Sequence, residues 1–590
     1  MLKRVGPEKR QMPPLLGKFL RFAMFCALLI FLLFGLSLER IQPLAISQRP
    51  LQFNASRAFQ TMSQLAKGFP DRVAWSVARQ KAALWLKSEF KQMGYTPQSM
   101  LFSEVIAGKQ YSDLENIYVE KKGRVHPDEI IVVLAHYDIA ETTHEGAMDD
   151  ASGVGVVMEL ARVFAQREMD RTLVFLLTDS EEYGAFWGAT AFVKGYPKIN
   201  QVVAVQNFDF VAAGKQTGIL TLCDGLKSGY TPLWLRELAL NSIRAVNLAQ
   251  AVDMSGVLEA VERAMNIPAA DHGVFVAAGI PAFNWVGQTD NFPYIMRHYH
   301  HTVADVTEAM QLASFESFGK SAERLITSVD ELPRIPVNFR SDSYWKLSQR
   351  YYLPGWATLW IQVLLFIPFV FYGIINTRRV LKERNKVLFL KAARNEVKNL
   401  GVVLGALLLG YALLLLLPAL EIITQYELFP ATQKALLLSA PNYVALLLIV
   451  TAVGLAFFVL SKVFVHKDDS LEEHEARHAV RTVFLGLIIF LALLKNGFLA
   501  VLLLLPPAYF WTALNLRQHR KSRIYNGMFL LLGLISFVVT LLIMSTVFHI
   551  GVVYWYLFLA AAYGLFSIYA VVLFFMALTI MIRMGAAVLF

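Results

Sequence analysis

His136, Asp138, Asp149, Glu181, Glu182, Asp209 and His301 are side chains of the types that bind divalent metals, and they recur in a set order along the chain. Most stand at the end of an apolar, strand-like run or in the loop after it. Imidazoles and carboxylates gathered in one place can hold two divalent cations and still leave a carboxylate to accept a proton. That chemistry is metal-assisted hydrolysis.

His136 closes the run IIVVLA, and Asp138 lies two residues on. In an extended segment, residues i and i+2 point the same way. Asp138 can therefore orient the imidazole, as carboxylates do for metal-bound histidines; a histidine that merely caps a strand is the plainer alternative. DDASG (149–153) precedes a predicted helix over 152–166. Asp150 or Ser152 can cap that helix, and Gly153 and Gly155 would let it pack closely on a sheet. Asp149, just outside it, is free to bridge two cations, one on each carboxylate oxygen. Glu181 and Glu182 follow the run TLVFLLT. Adjacent acids in a loop are usually solvated, but beside a buried strand end they can divide the work. Glu182 would ligate metal, and Glu181 would take a proton from a water whose pKa the metal lowers towards about 7. Asp209 ends QVVAVQNF, and RHYHHT (297–302) offers His298, His300 and His301. Chemistry alone leaves the choice among these three open. Asp271 and His272, before a short apolar run, are weaker candidates for substrate contact or loop structure.

The elements that must position these groups show in the periodicity. Amphipathic helices are predicted over 55–67 and 76–93, followed by strands over 115–120, 129–135, 172–178, 201–208, 218–223 and 281–286. Helices over 152–166, 187–195, 231–244 and 308–330 are interleaved with them. Fully apolar strands alternating with helices indicate an α/β domain, a mostly parallel sheet covered on both faces. Ligands of such sheets bind outside the carboxyl ends of the strands, where His136, Glu181, Glu182 and Asp209 fall.

The chain of 590 residues is 56% hydrophobic with a mean hydropathy of +0.46, too apolar and too long for one soluble domain. Residues 50–335 read as a globular mixture, and 354–590 are dominated by Leu, Phe and Val. With two cysteines, Cys26 in an apolar segment and Cys223, an intrachain disulfide framework is not expected. The net charge of +10 flanks apolar segments, which indicates orientation in a bilayer and not a nucleic-acid partner. About eight spans are predicted, over 19–37, 354–375, 400–420, 442–464, 480–495, 498–515, 525–547 and 551–582. The first, with no small-x-small cleavage site after it, reads as an uncleaved anchor behind a cytoplasmic tail of residues 1–18. The remaining seven or so make residues 354–590 a multi-pass helical domain, with Lys495-Asn496-Gly497 as a turn. The basic stretches from Arg378 to Lys398 and from Arg517 to Arg523 then fall on the cytoplasmic side, as do both termini. The domain over 50–335 lies on the other side. Glu421, Glu427, Arg481 and Lys495 fall near predicted span ends, which argues against ion transport.

HxD (His136, Asp138), DDASG (149–153), EE (Glu181, Glu182), Asp209, DHxxF (271–275) and HT (His301, Thr302) together resemble the M28 family of zinc peptidases over residues 50–335. The resemblance implies two zinc ions. His136 and Asp209 would hold one, Glu182 and His301 the other, with Asp149 bridging and Glu181 as acid/base. His301 is preferred to His300 because it directly precedes Thr302. The resemblance also implies a cis peptide after Asp149, an aminopeptidase acting on peptide substrates, and a bilayer-bound chain like the M28 peptidases of vacuoles, endoplasmic reticulum and bacterial envelopes. Two alternatives stand beside it: an inactive receptor or scaffold, and a single-zinc glutaminyl cyclase, whose His-Tyr-Asp matches residues 136–138. Sparse cysteine and a single Asn-x-Ser acceptor, Asn54, favour a bacterial inner membrane with a periplasmic domain over a vacuolar or endoplasmic reticulum membrane.

Overall fold

The structure is a computed structural model. It describes residues 14–106, 109–182, 186–211, 213–289, 295, 298–336, 343–383, 386–417, 420, 422, 443–464, 471–513, 520–547 and 568–589.

An apolar helix, α1 (Pro14–Ser37), leads into a short strand, β1 (Glu39–Arg40), and then into the α/β body. Asn54 caps α2 (Ala55–Gly68) by accepting from Arg57 N, and Ser76 caps α3 (Val77–Gln92) by accepting from Arg79 N. Ala58, Met62 and Leu65 recur at helical spacing and form the buried stripe of α2. β2 (Gln98–Ile106), β3 (Lys109–Lys121), β4 (His126–His136), α4 (Ser152–Ala165), β5 (Arg171–Thr178), α5 (Trp187–Gly195) and β6 (Val202–Phe208) follow. Next come β7 (Gln216–Leu222), α6 (Leu233–Val246), β8 (Gln250–Asp253), α7 (Val257–Met265), α8 (His272–Ala277), β9 (Ala282–Thr289) and the helix Leu312–Asp330.

The eight strands form one sheet in the order β2-β3-β5-β4-β6-β9-β7-β8. Its centre is parallel, β4 pairing with β5 and β6, and β6 with β9. Antiparallel pairs β2–β3, β3–β5 and β7–β9 lie towards the two edges. α2, α4, α6 and Leu312–Asp330 pack on one face through Met62, Val157, Leu238 and Phe315, and α5 and α8 cover the other through Phe192 and Phe275. Every residue of β5 and of β6 is buried, so their sequences run apolar without alternation. Each large apolar side chain placed here contributes about 1.5–3 kcal/mol.

The predicted strands and helices of the body are all present. β2, β8 and α7 are not legible in the sequence. β2 is an edge strand whose Leu101 and Val105 are exposed, so no apolar face marks it. α7 buries Glu259, Glu262 and Arg263 beside Val261 and Met265, which hides its stripe. Gly155 differs from expectation too. A Cβ there would lie 2.4 Å from Ala58 O, so its close approach is to α2 and not to the sheet.

Outside the body, five helices are long and apolar enough to cross a membrane: Gly355–Lys382, Lys386–Leu416, Tyr443–Lys462, Glu473–Lys495 and Ile524–Ser545. Arg21–Ser37, Gly497–Thr512 and Tyr569–Gly585 are shorter apolar helices. These eight coincide in position with the predicted spans, but among the described residues only five have the full length. Residues 551–567 of the last predicted span, with Glu421 and Glu427, lie outside the described residues. The basic stretch expected as a loop after Arg378 is carried on the facing ends of helices Gly355–Glu383 and Lys386–Leu416, where Lys, Arg, Ala and Leu favour helix. Asn496 does form the predicted turn, capping the next helix by accepting from Leu499 N. Charge is not confined to helix ends: Glu396 and Arg481 are buried partners 2.9 Å apart, because the helix carrying Arg481 begins at Leu471, well before the predicted span.

The body is fixed to these helices at two places. β1 pairs with β11 (Tyr351–Pro354) and β11 with β10 (Tyr344–Lys346), which ties the end of α1 to the start of Gly355–Glu383. α7 packs Val261, Ala264 and Met265 against Leu414, Ile449 and Met544. Asn496 Nδ2 donates to the carbonyls of Arg263 and Ala264 at 2.8 and 3.1 Å. Cys26 and Cys223 are both free and buried.

Candidate metal centre

β4, β5 and β6 are adjacent and parallel, so their carboxyl ends open on one crevice. His136 is the last residue of β4 and pairs with Thr178, the last of β5, and Asp209 directly follows β6. From these ends the chain turns sharply. Ser180 and His301 both adopt left-handed backbone, φ 61 and 52, a conformation uncommon for non-glycine residues. Asp149 lies in the turn Ala147–Ala151 ahead of α4, and the Asp149–Asp150 peptide is cis.

The two oxygens of Asp149 face different neighbours. Oδ1 is 3.0 Å from His136 Nε2, while Oδ2 is 3.0 Å from His301 Nε2 and 3.1 Å from His300 Nε2. On the first side, donor atoms of His136, Asp149 and Asp209 all lie within 4.8 Å of one another. On the second, Asp149, His300 and His301 do the same. Glu182 Oε2 reaches His301 Nε2 at 2.7 Å, while its Oε1 accepts from Ala140 N. Glu181 Oε2 is 3.9 Å from His136 Nε2, on the side of the first group.

A supporting layer holds these groups. Asp138 is fully buried, lies 3.4 Å from His136 Nδ1, and accepts from the backbone N–H groups of Glu181 and Glu182. Asp150 accepts from Gly153 N at the start of α4, the capping role considered from the sequence. Ser152 instead ties the turn to the segment after β6, donating to Met148 O and accepting from Val211 N. Sequence reasoning missed Asp305, whose carboxylate accepts from Met148 N and Asp149 N and so fixes the turn. It also missed Arg72, which donates to the carbonyls of Tyr137, Glu145 and Gly146. Asp271 and His272 are buried behind the crevice. Asp271 accepts from Thr178 Oγ1, and His272 Nε2 has Asp224 at 3.8 Å.

Burial raises Glu181 well above its ordinary pKa, with Asp209, Glu182 and Asp271 adding to the effect and His136 opposing it. Burial likewise raises Glu182 and Asp209. It opposes charge on His301, but Glu182 and Asp149 outweigh it and bring that imidazole up to about 10. Burial takes His300 down to about 4. Asp149 goes the other way from the carboxylates around it: burial is outweighed by His136, His300 and His301, and it stays ionised well below its ordinary range.

Groups raised on folding stabilise the fold below their unfolded pKa and lose that contribution as pH rises through the folded value. For His301 the window runs from 6.5 to about 10. Chelator-treated protein is therefore expected to melt at progressively lower temperature from about pH 6.5 to 9.5, and saturating zinc to restore more at the alkaline end, where fewer protons must be displaced. Scanning fluorimetry with and without zinc reads this. A melting temperature of the chelated protein that rises over the interval would contradict it.

The profile of peptidase family M28 matches residues 116–326, from β3 into the helix Leu312–Asp330. Curated relatives include a probable zinc metalloprotease of Leptosphaeria maculans, 26% identical over 267 residues, 39% of this chain and 60% of that protein. A probable zinc metalloprotease of Pyricularia oryzae is 37% identical over 113 residues, 18% of this chain and 22% of that protein. A vacuolar membrane protease of Vanderwaltozyma polyspora is 34% identical over 103 residues, 18% of this chain and 10% of that protein. The chain thus spans from about a tenth to three fifths of the length of these relatives. Among solved structures, a zinc aminopeptidase from Bacillus subtilis has TM-score 0.41 and 16% identity, covering 48% of this chain and 98% of that one. Porphyromonas gingivalis glutaminyl cyclase has TM-score 0.40 and 19% identity, covering 47% and 99%. The matched segment, residues 116–326, holds every candidate metal-binding residue, and over it the α/β body of this chain is similar to peptidase family M28.

Proposed function

We propose that the chain is a membrane-bound zinc exopeptidase, an aminopeptidase removing N-terminal residues from peptides on the non-cytoplasmic side. The observation that carries this reading is Asp149, one buried carboxylate whose two oxygens face two separate sets of donors. The donor set, imidazole nitrogens and carboxylate oxygens in a closed crevice, suits zinc. His136 and Asp209 would hold one ion, Glu182 and His301 the other, and Asp149 both. Zinc there would supply Lewis acidity at a peptide carbonyl and a lowered pKa for water.

The remaining work falls to the chain. Glu181, with a raised pKa and its carboxylate turned towards His136, takes the proton of the attacking water and delivers it to the leaving amine nitrogen. Asp138 keeps the His136 ring in position and, through two backbone N–H groups, sets Glu181 and Glu182 beside it. The basic residues on the helix ends remote from the body support its non-cytoplasmic side.

His300 and His301 both touch Asp149, but only His301 also reaches Glu182. His301→Ala is expected to lose one zinc and most activity, whereas His300→Ala retains both ions, as read by zinc analysis after gel filtration. The reverse order would exchange the two assignments.

The reading is tested with aminoacyl-naphthylamides bearing a free or an acetylated N-terminus. Free reporters are expected to be cleaved about 100-fold faster or more, because a site that pairs with an amine rejects its blocked form. Equal rates would make the enzyme something other than an aminopeptidase. No cleavage by zinc-loaded protein would favour the scaffold, and release of pyroglutamate from glutaminyl peptides the cyclase.

A further inference from the structure

The two donor groups of the crevice are carried differently. His136 ends β4 and Asp209 directly follows β6, so the sheet itself sets that pair. Glu182 and His301 stand in loops, and Asp149 in the turn ahead of α4. His301 also holds left-handed backbone, φ 52, which costs a non-glycine residue about 1–2 kcal/mol that its surroundings must offset.

The loop ligands are stitched together by two segments far apart in sequence, 139–149 after β4 and 298–307 after β9. Asp305 accepts from Met148 N at 2.6 Å with one carboxylate oxygen and from Asp149 N at 3.1 Å with the other. Glu145 Oε2 returns the contact, accepting from the N–H and the hydroxyl of Thr307, both at 2.8 Å. Thr142 Oγ1 donates to the carbonyl of His301 itself at 2.7 Å. Ala140 N donates to Glu182 Oε1 at 3.0 Å, which fastens the third loop ligand to the first of these segments. Arg72, fully buried, pins that segment from the side of α2 and α3 by donating to the carbonyls of Tyr137, Glu145 and Gly146. Asp305 and Thr307 are buried, so water does not compete for these bonds.

We infer that this clasp between two loops assembles the metal position of Asp149, Glu182 and His301, with Asp305 as its positioning residue. The inference rests on the two-zinc reading proposed above. Removing the Asp305 carboxylate leaves two buried amides unpaired, each at a cost of about 1–3 kcal/mol, and the segments relieve that cost by parting. Parting displaces Asp149 and His301, two of the three ligands of that position. Of the other position it displaces Asp149 alone, because His136 and Asp209 stay on the sheet. The two positions therefore respond unequally. A residue that only stabilised the fold would lower the melting temperature and leave the ratio of the two zinc affinities unchanged.

The test uses the full chain in neutral detergent, stripped of metal and titrated with zinc against a chromophoric chelator, with the melting temperature of the zinc-free protein measured alongside. The parent is expected to take up two zinc ions. Asp305→Ala is expected to weaken one of them about 100-fold and the other less than about tenfold, within the range for groups that orient metal ligands. Adding His301→Ala to that variant should not change the ion that is retained, whereas adding His136→Ala should release it. Thr142→Val keeps the shape of an exposed side chain and loses only the bond to His301 O. It is expected to weaken the same ion about tenfold and to leave the melting temperature of the zinc-free protein unchanged. A parent that takes up fewer than two zinc ions would remove the two-zinc reading and the inference with it. A parent with two ions whose affinities fall by equal factors in Asp305→Ala would overturn the inference alone. If Asp305→Ala does not fold, Thr142→Val decides, and parental affinity for both ions in that variant would overturn the inference.

Discussion

Glu181→Ala is expected to leave the zinc content of the protein unchanged while reducing kcat by about 10²–10⁴, the range in which a positioned acid–base group contributes. That corresponds to about 3–5 kcal/mol of transition-state stabilisation. Glu181 is 7% exposed, and its carboxylate stands beside the first donor group at 3.9 Å from His136 Nε2. Neither Glu181 nor Glu182 belongs to the two sets of three donors whose atoms converge, but Glu182 reaches His301 Nε2 at 2.7 Å whereas Glu181 stands off its nearest imidazole. Its raised pKa suits a group that must accept a proton and then give it up. The measurement is the rate on a free aminoacyl reporter together with zinc analysis of the same sample. If zinc falls in step with the rate, Glu181 is a metal ligand and the proton-transfer role passes elsewhere.

Asp149→Ala is expected to empty both metal positions at once and abolish activity. Asp149 is the residue common to both donor groups. Its loss removes one donor from each and exposes two dications to each other's repulsion. In the parent, zinc at about 1,000 times its Kd is expected to stabilise the fold by about 4 kcal/mol. The variant should show no zinc-dependent rise in melting temperature. A variant that keeps one tightly held zinc would show that the two positions are independent, and the bridging role would be lost.

The metal centre was legible in the sequence to the extent that strand ends are. His136 and Asp209 stand where apolar runs stop, and the Glu pair follows another, so parallel β4, β5 and β6 bring them together without further information. Asp149 was legible from its place ahead of a helix whose first turn Asp150 caps. What could not be read depends on contacts between distant segments. Asp305 is an ordinary loop acid until the fold sets it under the Met148 and Asp149 amides. His300 and His301 differ only in which of them also meets Glu182, a distance that no spacing encodes.

The helical region shows the same division. Hydropathy located each apolar stretch but not its ends, because helices continue past the apolar window into charged residues. Lys386–Leu416 starts on a basic segment expected as a loop, and Leu471–Lys495 starts on an acidic and basic one. Glu396 and Arg481 therefore lie within helices, packed as a buried pair, although the sequence suggested charges only at span ends. α7 was invisible for a related reason. Its charged side chains are neutralised inside the fold, Arg263 by Glu259 at 2.8 Å and Glu259 by Arg236 at 2.7 Å.

The central claim, one carboxylate shared by two zinc ions, is tested most directly by zinc analysis of the purified full chain combined with X-ray absorption at the zinc edge. Two zinc ions per chain with a metal–metal separation of about 3.5–4 Å are predicted. A single zinc with no metal neighbour at that distance, or none at all in active protein, would contradict it.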